Sequence, residues 1–251
     1  MFTDTHCHVL KSYYDDITEI INTAKLNGVD RIINCGCNND ENCEILNLIR
    51  KYKNMYGAIG IHPDEATHYK IEDVRFIEKN LLNPKILAIG EIGLDYHYGK
   101  DDRFAQIKLF KLQLKLAEKY NMPVIIHARD SDDDILSILD EFNVVGTIHS
   151  FSGNLEQAKK YINKGFLLGV NGIITFRNSN LKNIIKTIDI NNLVLETDSP
   201  YLSPEPFRGH CNTPANIKYI AEFICKLYGI TIKELEEITN SNFDQIYSKK
   251  S

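Results

Sequence analysis

The chain has 251 residues, 43% of them hydrophobic and 25% charged, with a formal net charge of −5, a balance that suits one folded domain with a full core and excludes a disordered chain. No apolar run approaches the roughly 18 residues of a membrane span, and the start, MFTDTHCH, has neither the basic nor the apolar region of a secretion signal, so a cytoplasmic protein is expected. The acidic balance argues against a broadly basic nucleic-acid-binding face, but not against a nucleic-acid substrate, because bound divalent cations would dominate their own surroundings.

The first strand is expected over residues 1–6 (MFTDTH). A strand's period of two puts Asp4, His6 and His8 on one face and Thr5 and Cys7 on the other. The Cα atoms of His6 and His8 would stand about 7 Å apart, close enough for both imidazoles to turn onto one ion. A helix near 16–27 leads to a second strand over 30–36 (DRIINCG), and a helix near 41–53 to a third over 55–62 (MYGAIGIH), which ends on His62. Cys35 and Cys37 lack the second C-x-C or C-x-x-C pair of a structural zinc site, and with no extracellular signal the six cysteines are expected to be reduced. The pair is read as core or loop filling.

A helix near 71–81 precedes the fourth strand, 85–92 (KILAIGEI), with Glu91 near its end. The next helix is the most legible. In DDRFAQIKLFKLQLKLAEKYN the residues Phe104, Ile107, Phe110, Leu114 and Ala117 recur at threes and fours, with Lys108, Lys111 and Lys115 opposite. Asp101 or Asp102 can cap its start, and Pro123 forbids its continuation. The fifth strand, 122–128 (MPVIIHA), carries His127 with Arg129 just beyond. A helix near 132–141 leads to the sixth, 144–150 (VVGTIHS), with His149, and a helix near 155–164 to the seventh, 166–171 (FLLGVN). After a helix near 179–188, the eighth strand, 192–198 (NLVLETD), carries Glu196 and Asp198 on one face; helices near 214–228 and 232–247 follow.

Eight β-α units with no linker or shift of composition imply an α/β fold, one (β/α)8 barrel of TIM type over residues 1–251. A doubly wound sheet would need a glycine-rich phosphate turn after the first strand, where this chain has HCHVLKS.

In a parallel barrel the C-terminal strand ends share one mouth, and His6, His8, His62, Glu91, His127, His149 and Asp198 all fall there. Singly, each has an ordinary reading: a hydrogen-bonded histidine, a salt-bridge partner, or, for Asp198 before Ser199 and Pro200, a turn former. Jointly, four imidazoles and two carboxylates in a buried mouth, with Arg129 as the strong cation at these ends, call for metal. They exceed the needs of one zinc, so two divalent ions are expected: one on His6, His8 and Asp198, the other on His127 and His149, with Glu91 bridging. The mixed nitrogen and oxygen set suits zinc, manganese, cobalt or iron, and magnesium less well. The surplus positive charge would draw an anionic substrate.

These residues sit in DTHCH, GIHP, GEIGLDY, PVIIHARD, HSFSG, LETDSPYLSP and RGHCNTP, an ordered set from residue 4 to about 228. The set resembles the TatD family of metal-dependent deoxyribonucleases, in the amidohydrolase-like barrel superfamily. The resemblance implies the same six ligands and hydrolysis of phosphodiesters, often as 3′ to 5′ exonucleases on DNA. It also implies links to DNA repair and to nuclear degradation in cell death, with a nuclear location in a eukaryote. Some relatives remove D-amino acids from tRNA. The chain departs from the family pattern at Val9 and Leu10, where Leu-Asp often follows the second histidine, and at Asp64, where histidine is common; both positions bear on substrate contacts.

The expected mechanism is attack by a water activated between two metals, with Asp198 orienting it and taking its proton and Glu91 holding both ions. His62 and Arg129 are candidate phosphate contacts; Asp4 and Glu196 are expected behind the ligands, and Arg208 to fix its own loop. The expected partner is a nucleic-acid substrate, DNA first, with no membrane and no stable protein partner. Two other readings are an amidohydrolase acting on a cyclic amide, lactone or aminoacyl ester, and a non-catalytic, metal-dependent nucleic-acid-binding scaffold. The first would often use a lysine at the end of strand four, where Glu91 stands, with Lys85 at the strand's start; the second would be expected to have lost ligands, and all six are present.

Overall fold

The computed structural model describes residues 1–99 and 101–248. Among them the strands run β1 Phe2–Cys7, β2 Val29–Cys35, β3 Met55–Ile59, β4 Ile86–Asp95, β5 Val124–Arg129, β6 Gly146–Ile148, β7 Leu167–Val170 and β8 Leu193–Leu195. They pair in parallel in chain order. β1 and β8 close the ring through other bonds: the Asp198 N–H donates to the His6 carbonyl at 3.0 Å, the His8 N–H to that of Ser199 at 2.7 Å, and the Thr5 hydroxyl to that of Leu195 at 3.0 Å. The result is the expected (β/α)8 barrel, and its seam falls beside three of the candidate ligands.

The helices are α1 Ile17–Leu26, α2 Asn39–Lys51, α3 Ile71–Asn80, α4 Arg103–Tyr120, α5 Asp132–Leu139, α6 Leu155–Asn163, α7 Leu181–Ile185, α8 Ile217–Tyr228 and α9 Ile232–Tyr247. Several starts are capped as short polar residues allow: Asp16 accepts from Thr18 and Glu19, and Asn154 and Thr231 form capping boxes with Gln157 and Glu234. None of the helices in the described residues is long and apolar enough to cross a membrane.

Two layers of core follow from the alternation along the strands. Ile32 joins the cluster under the helices, while its neighbour Ile33 joins Cys35, Ala58, Ile125, Leu167 and Val194 in a second cluster. Phe243 and Tyr247 of α9 belong to that second cluster, and Asn242 donates to the carbonyl of Leu193 at the start of β8. α9 therefore covers the N-terminal end of the barrel, and the C-terminal mouth is left for chemistry.

Helix α4 keeps its expected face at Phe110, Leu114 and Ala117, which are fully buried, but not at the first residue of that face. Phe104 is 82% exposed, whereas Gln106 and Gln113 are buried. Gln106 bonds both backbone groups of Asp95 at 2.9 Å, and Gln113 those of Ile61 at 2.8 and 2.9 Å. The two amides satisfy backbone that leaves the sheet, which a count of apolar residues cannot detect. The Asp102 carboxylate accepts from Gln106 and does not cap the helix.

Candidate metal centre

Glu91 stands at the middle of the mouth with its two oxygens facing different groups. Oε2 lies 3.4 Å from His6 Nε2 and 3.5 Å from His8 Nε2; the two nitrogens are 3.1 Å apart, and Asp198 Oδ1 is 3.4 and 3.7 Å from them. Oε1 lies 2.8 Å from both His127 Nδ1 and His149 Nε2, which are themselves 3.2 Å apart. Donors bound at about 2.0–2.1 Å around a tetrahedral ion stand about 3.3–3.4 Å from one another. The first group has that spacing to within a few tenths of an ångström, whereas Glu91 Oε1 stands at hydrogen-bonding distance from His127 and His149; together the six side chains form a donor set able to hold metal.

The outer nitrogens support the same assignment. The His8 Nδ1–H donates to the Cys35 carbonyl at 2.9 Å, which leaves Nε2 facing the centre, and His127 Nε2 faces Asp95 at 2.9 Å on its outer side. His149 Nδ1 faces Glu196 at 3.7 Å. His6 has no partner for Nδ1 among the described residues; its ring is stacked on that of His149, with centroids 3.9 Å apart.

Charge in the cluster is strongly coupled. Burial would raise the pKa of Glu91, but His149, His6 and the hydrogen bond from His127 hold it well below the usual carboxylate range. Asp198 is lowered in the same way by His6 and His8. Burial would lower the imidazoles, yet Asp198 and Glu91 raise His8, Asp95 and Glu91 raise His127, and Glu91 with Glu196 raises His149 well above its ordinary value.

Asp198 takes this position through its backbone. β8 ends at Leu195, and Asp198 lies beyond it with a left-handed φ of 55°, a conformation aspartate tolerates better than most residues. The Asp4 carboxylate accepts from the Thr197 N–H at 2.9 Å and the Thr197 hydroxyl at 2.6 Å, and burial pushes its pKa up to about 8. Among the described residues it bonds Thr197 and the His6 backbone N–H, so it supports the site through the chain and not through an imidazole.

The expectation that Glu196 shares a strand face with Asp198 is corrected by the early end of β8. Glu196 is turned behind His149, where it accepts from the Ser150 N–H at 2.5 Å. A Cβ on Gly169 would come within 2.3 Å of Glu196 Oε2, so the carboxylate can lie there only because residue 169 is glycine.

His62 stands edge-on to His127, with Nε2 3.6 Å from Glu91 Oε1. Arg129 is half exposed, over the ring of Tyr98 and 4.0 Å from Asp95. Both line a cavity of about 650 Å³ that also takes in His8, Glu91, His127, His149 and Asp198. Arg208 lies 4.4 Å over the ring of Phe176, which ties its loop down. Val9, a departure from the family pattern, is fully buried, its backbone paired with the Asn34 amide.

Two residues escaped the reading of the sequence. Asp95, which holds His127, lies two pleats beyond Glu91 on β4; carrying the period of two past residue 92 would have found it. Cys35 fills the core as expected, but Cys37 lines the mouth, with Sγ 3.9 Å from Glu91 Oε2.

Comparison with known proteins identifies the family. Residues 3–248 match the family model described as TatD related DNase. The chain is 38% identical to the uncharacterized metal-dependent hydrolase YabD of Bacillus subtilis (strain 168), over 98% of this chain and 99% of that protein. The crystal structure of YjjV, a TatD homolog from Escherichia coli K12, superposes with a TM-score of 0.93 at 30% identity, covering 99% of this chain and 98% of that one. A TatD family hydrolase from Entamoeba histolytica gives a TM-score of 0.88 at 25% identity, with coverage of 99% and 98%. On sequence and structure together, the chain belongs to the TatD family of metal-dependent hydrolases.

Proposed function

We propose that this chain is a phosphodiester hydrolase, a deoxyribonuclease that removes nucleotides from the 3′ end of DNA. The observation that carries the reading is Glu91, whose two oxygens each face a pair of imidazoles at the floor of an open cavity. When bound on His6, His8 and Asp198 and on His127 and His149, with Glu91 shared, two divalent cations supply Lewis acidity toward phosphoryl oxygens and lower the pKa of water toward about 7.

The protein's own groups do the rest. Asp198, whose side chain is 12% exposed, takes the proton of the water that attacks phosphorus. The new P–O bond forms as the P–O3′ bond to the preceding nucleotide breaks, and the proton passes to the leaving oxygen. Arg129 and His62 on the cavity wall meet the phosphate oxygens.

The shape of the mouth favours a strand end. A cavity of about 650 Å³ is of small-molecule size and admits a nucleotide or two, not a duplex. At its rim Tyr13 and Tyr201 are partly exposed, joined by a 3.1 Å hydrogen bond between their hydroxyls, with Tyr98 86% exposed on the other side. Such rings suit the stacking of unpaired bases. The amidohydrolase reading is weaker, because the Lys85 ammonium donates to the carbonyls of Ile49 and Tyr52, away from the mouth. The scaffold reading has no damaged ligand to support it.

The test is timed digestion of end-labelled single- and double-stranded DNA and RNA with Mg²⁺, Mn²⁺ or Zn²⁺. A ladder shortening from the 3′ end of DNA is the expected result. Turnover of a lactone or dihydroorotate with intact oligonucleotides, or metal-dependent binding without cleavage, would exclude the reading.

A further inference from the structure

Cys37 lies in the loop between β2 and α2, one residue before Asn38, the N-cap of α2. Its neighbours in sequence and space are occupied elsewhere: Cys35 is fully buried in the core, and the Cys7 thiol donates to the Ile33 carbonyl at 3.4 Å. Cys37 instead faces the mouth, with Sγ 3.9 Å from Glu91 Oε2, the oxygen that also lies 3.4 and 3.5 Å from His6 and His8. The loop is fixed in this pose. The Cys37 N–H donates to Glu41 at 2.9 Å, and the Glu41 N–H donates to the Asn38 side chain at 3.0 Å.

Ligand atoms of His8, Cys37 and Glu41 all lie within 4.8 Å of one another. An oxygen bound at about 2.0–2.1 Å and a sulfur bound at about 2.3 Å stand about 3.5 Å apart on a tetrahedral zinc-sized ion. The separation of Cys37 from Glu91 is within a few tenths of an ångström of that value, so a small side-chain rotation brings the sulfur onto the cation that Glu91 shares with His6 and His8.

We propose that Cys37 is a further ligand of the cation held by His6 and His8, and that it tilts the centre toward zinc and cobalt over magnesium and manganese. Coordination breaks the S–H bond, forms a sulfur–metal bond and releases the proton to solvent, with no change of oxidation state. A soft sulfur donor adds affinity for zinc and cobalt and little for ions that prefer oxygen. The proposal rests on the metal centre described above but not on the nuclease reading.

The test loads the chelated full-length protein with cobalt(II) and records stoichiometry and absorption. The wild type is expected to show visible d–d bands together with a thiolate-to-cobalt charge-transfer band in the near ultraviolet. Cys37→Ser and Cys37→Ala should keep the visible bands and lose the charge-transfer band, while Cys211→Ser, whose thiol is exposed, keeps both. In competition titrations the preference for zinc over manganese should fall at least about tenfold in Cys37→Ser. Visible bands without the charge-transfer band in the wild type, or an unchanged band in the Cys37 variants, overturns the proposal and leaves the metal centre standing. Failure to bind cobalt at all removes the centre and the role of Cys37 with it.

Discussion

Thr197 gives both its backbone N–H and its hydroxyl to the carboxylate of Asp4, at 2.9 and 2.6 Å, and this pair joins the first strand of the barrel to the segment after the last. His6 lies two residues after Asp4 and Asp198 one after Thr197, so the same bonds hold two candidate ligands of one cation in register. Asp4→Ala would leave the buried Thr197 N–H unpaired, at a cost of about 1–3 kcal/mol, and leave the hydroxyl only its 3.0 Å bond to Ser199. The variant should lose several degrees of melting temperature even when chelated. Asp4→Asn should lose less, because its amide oxygen can still accept from Thr197 and its NH₂ can donate to the hydroxyl. Equal melting temperatures for Asp4→Ala and wild type would show that the seam is held by other contacts.

Asp198→Asn separates the structural role of this residue from the chemical one. The amide keeps the shape and the N–H bond to the His6 carbonyl, but it no longer takes a proton. The fold should survive, and phosphodiester hydrolysis should fall by about a hundredfold or more, the usual effect of losing a general base. Near-normal turnover with a labelled oligonucleotide would remove Asp198 from its assigned step.

Asp95→Asn addresses His127 from behind. The carboxylate that faces His127 Nε2 fixes which nitrogen faces Glu91, and losing such a partner commonly costs about 10–100-fold in metal affinity. A titration with a competing chelator should show weaker binding of one equivalent of metal and little change in the other. Unchanged affinity for both would mean that Glu91 alone orients the ring.

Metal binding should be coupled to pH with a definite sign. With burial opposed by neighbouring carboxylates, His8, His127 and His149 are raised above the ordinary imidazole range, and Glu91 and Asp198 are lowered. The imidazole contribution to the stability of the chelated protein is fully present below about pH 6.5 and is lost as pH rises through the folded-state values. The carboxylate contribution is present above about pH 4.3 and is lost as pH falls through the lowered values. A cation must displace the imidazole protons. Loading near neutral pH should therefore release protons, and the gain in melting temperature on adding metal should grow from pH 6 to pH 8. Calorimetry in buffers of different ionisation enthalpy measures the protons directly; zero release would contradict the raised histidines.

The clustering of these side chains at one mouth was legible because a parallel barrel collects strand ends, and His6, His8, Glu91, His127, His149 and Asp198 stand out as ionisable residues closing apolar runs. What escaped notice has physical causes of its own. Asp95 was hidden because apolar character falters after Ile92 while β4 continues to pair with β5, as far as Asp95 opposite Arg129. Gln106 and Gln113 occupy core positions on α4 as polar residues, since the groups they satisfy are backbone atoms distant in sequence. The divergent directions of Glu196 and Asp198 follow from the left-handed turn at Asp198, which no period of two can represent. Cys37 has no second cysteine pair to mark it in the sequence, and its neighbours are instead a histidine and two glutamates from three parts of the chain.

The rim offers a test of substrate class that leaves the metal ligands untouched. Tyr13 and Tyr201 meet edge to face with centroids 5.9 Å apart, and the Tyr201 ring lies 6.3 Å from that of His8. A base entering beside the centre would stack there, and such contacts are worth about 1–3 kcal/mol per base. Tyr201→Ala should then raise KM for a single-stranded oligonucleotide by about 5–150-fold, with Tyr13→Ala weaker, because Tyr13 lies farther out. An abasic oligonucleotide has no base to stack, so its KM and kcat should stay near wild type in both variants. An equal loss on both substrates would point to disturbance of His8 through the neighbouring ring. No loss on either would take the aromatic rim out of substrate binding.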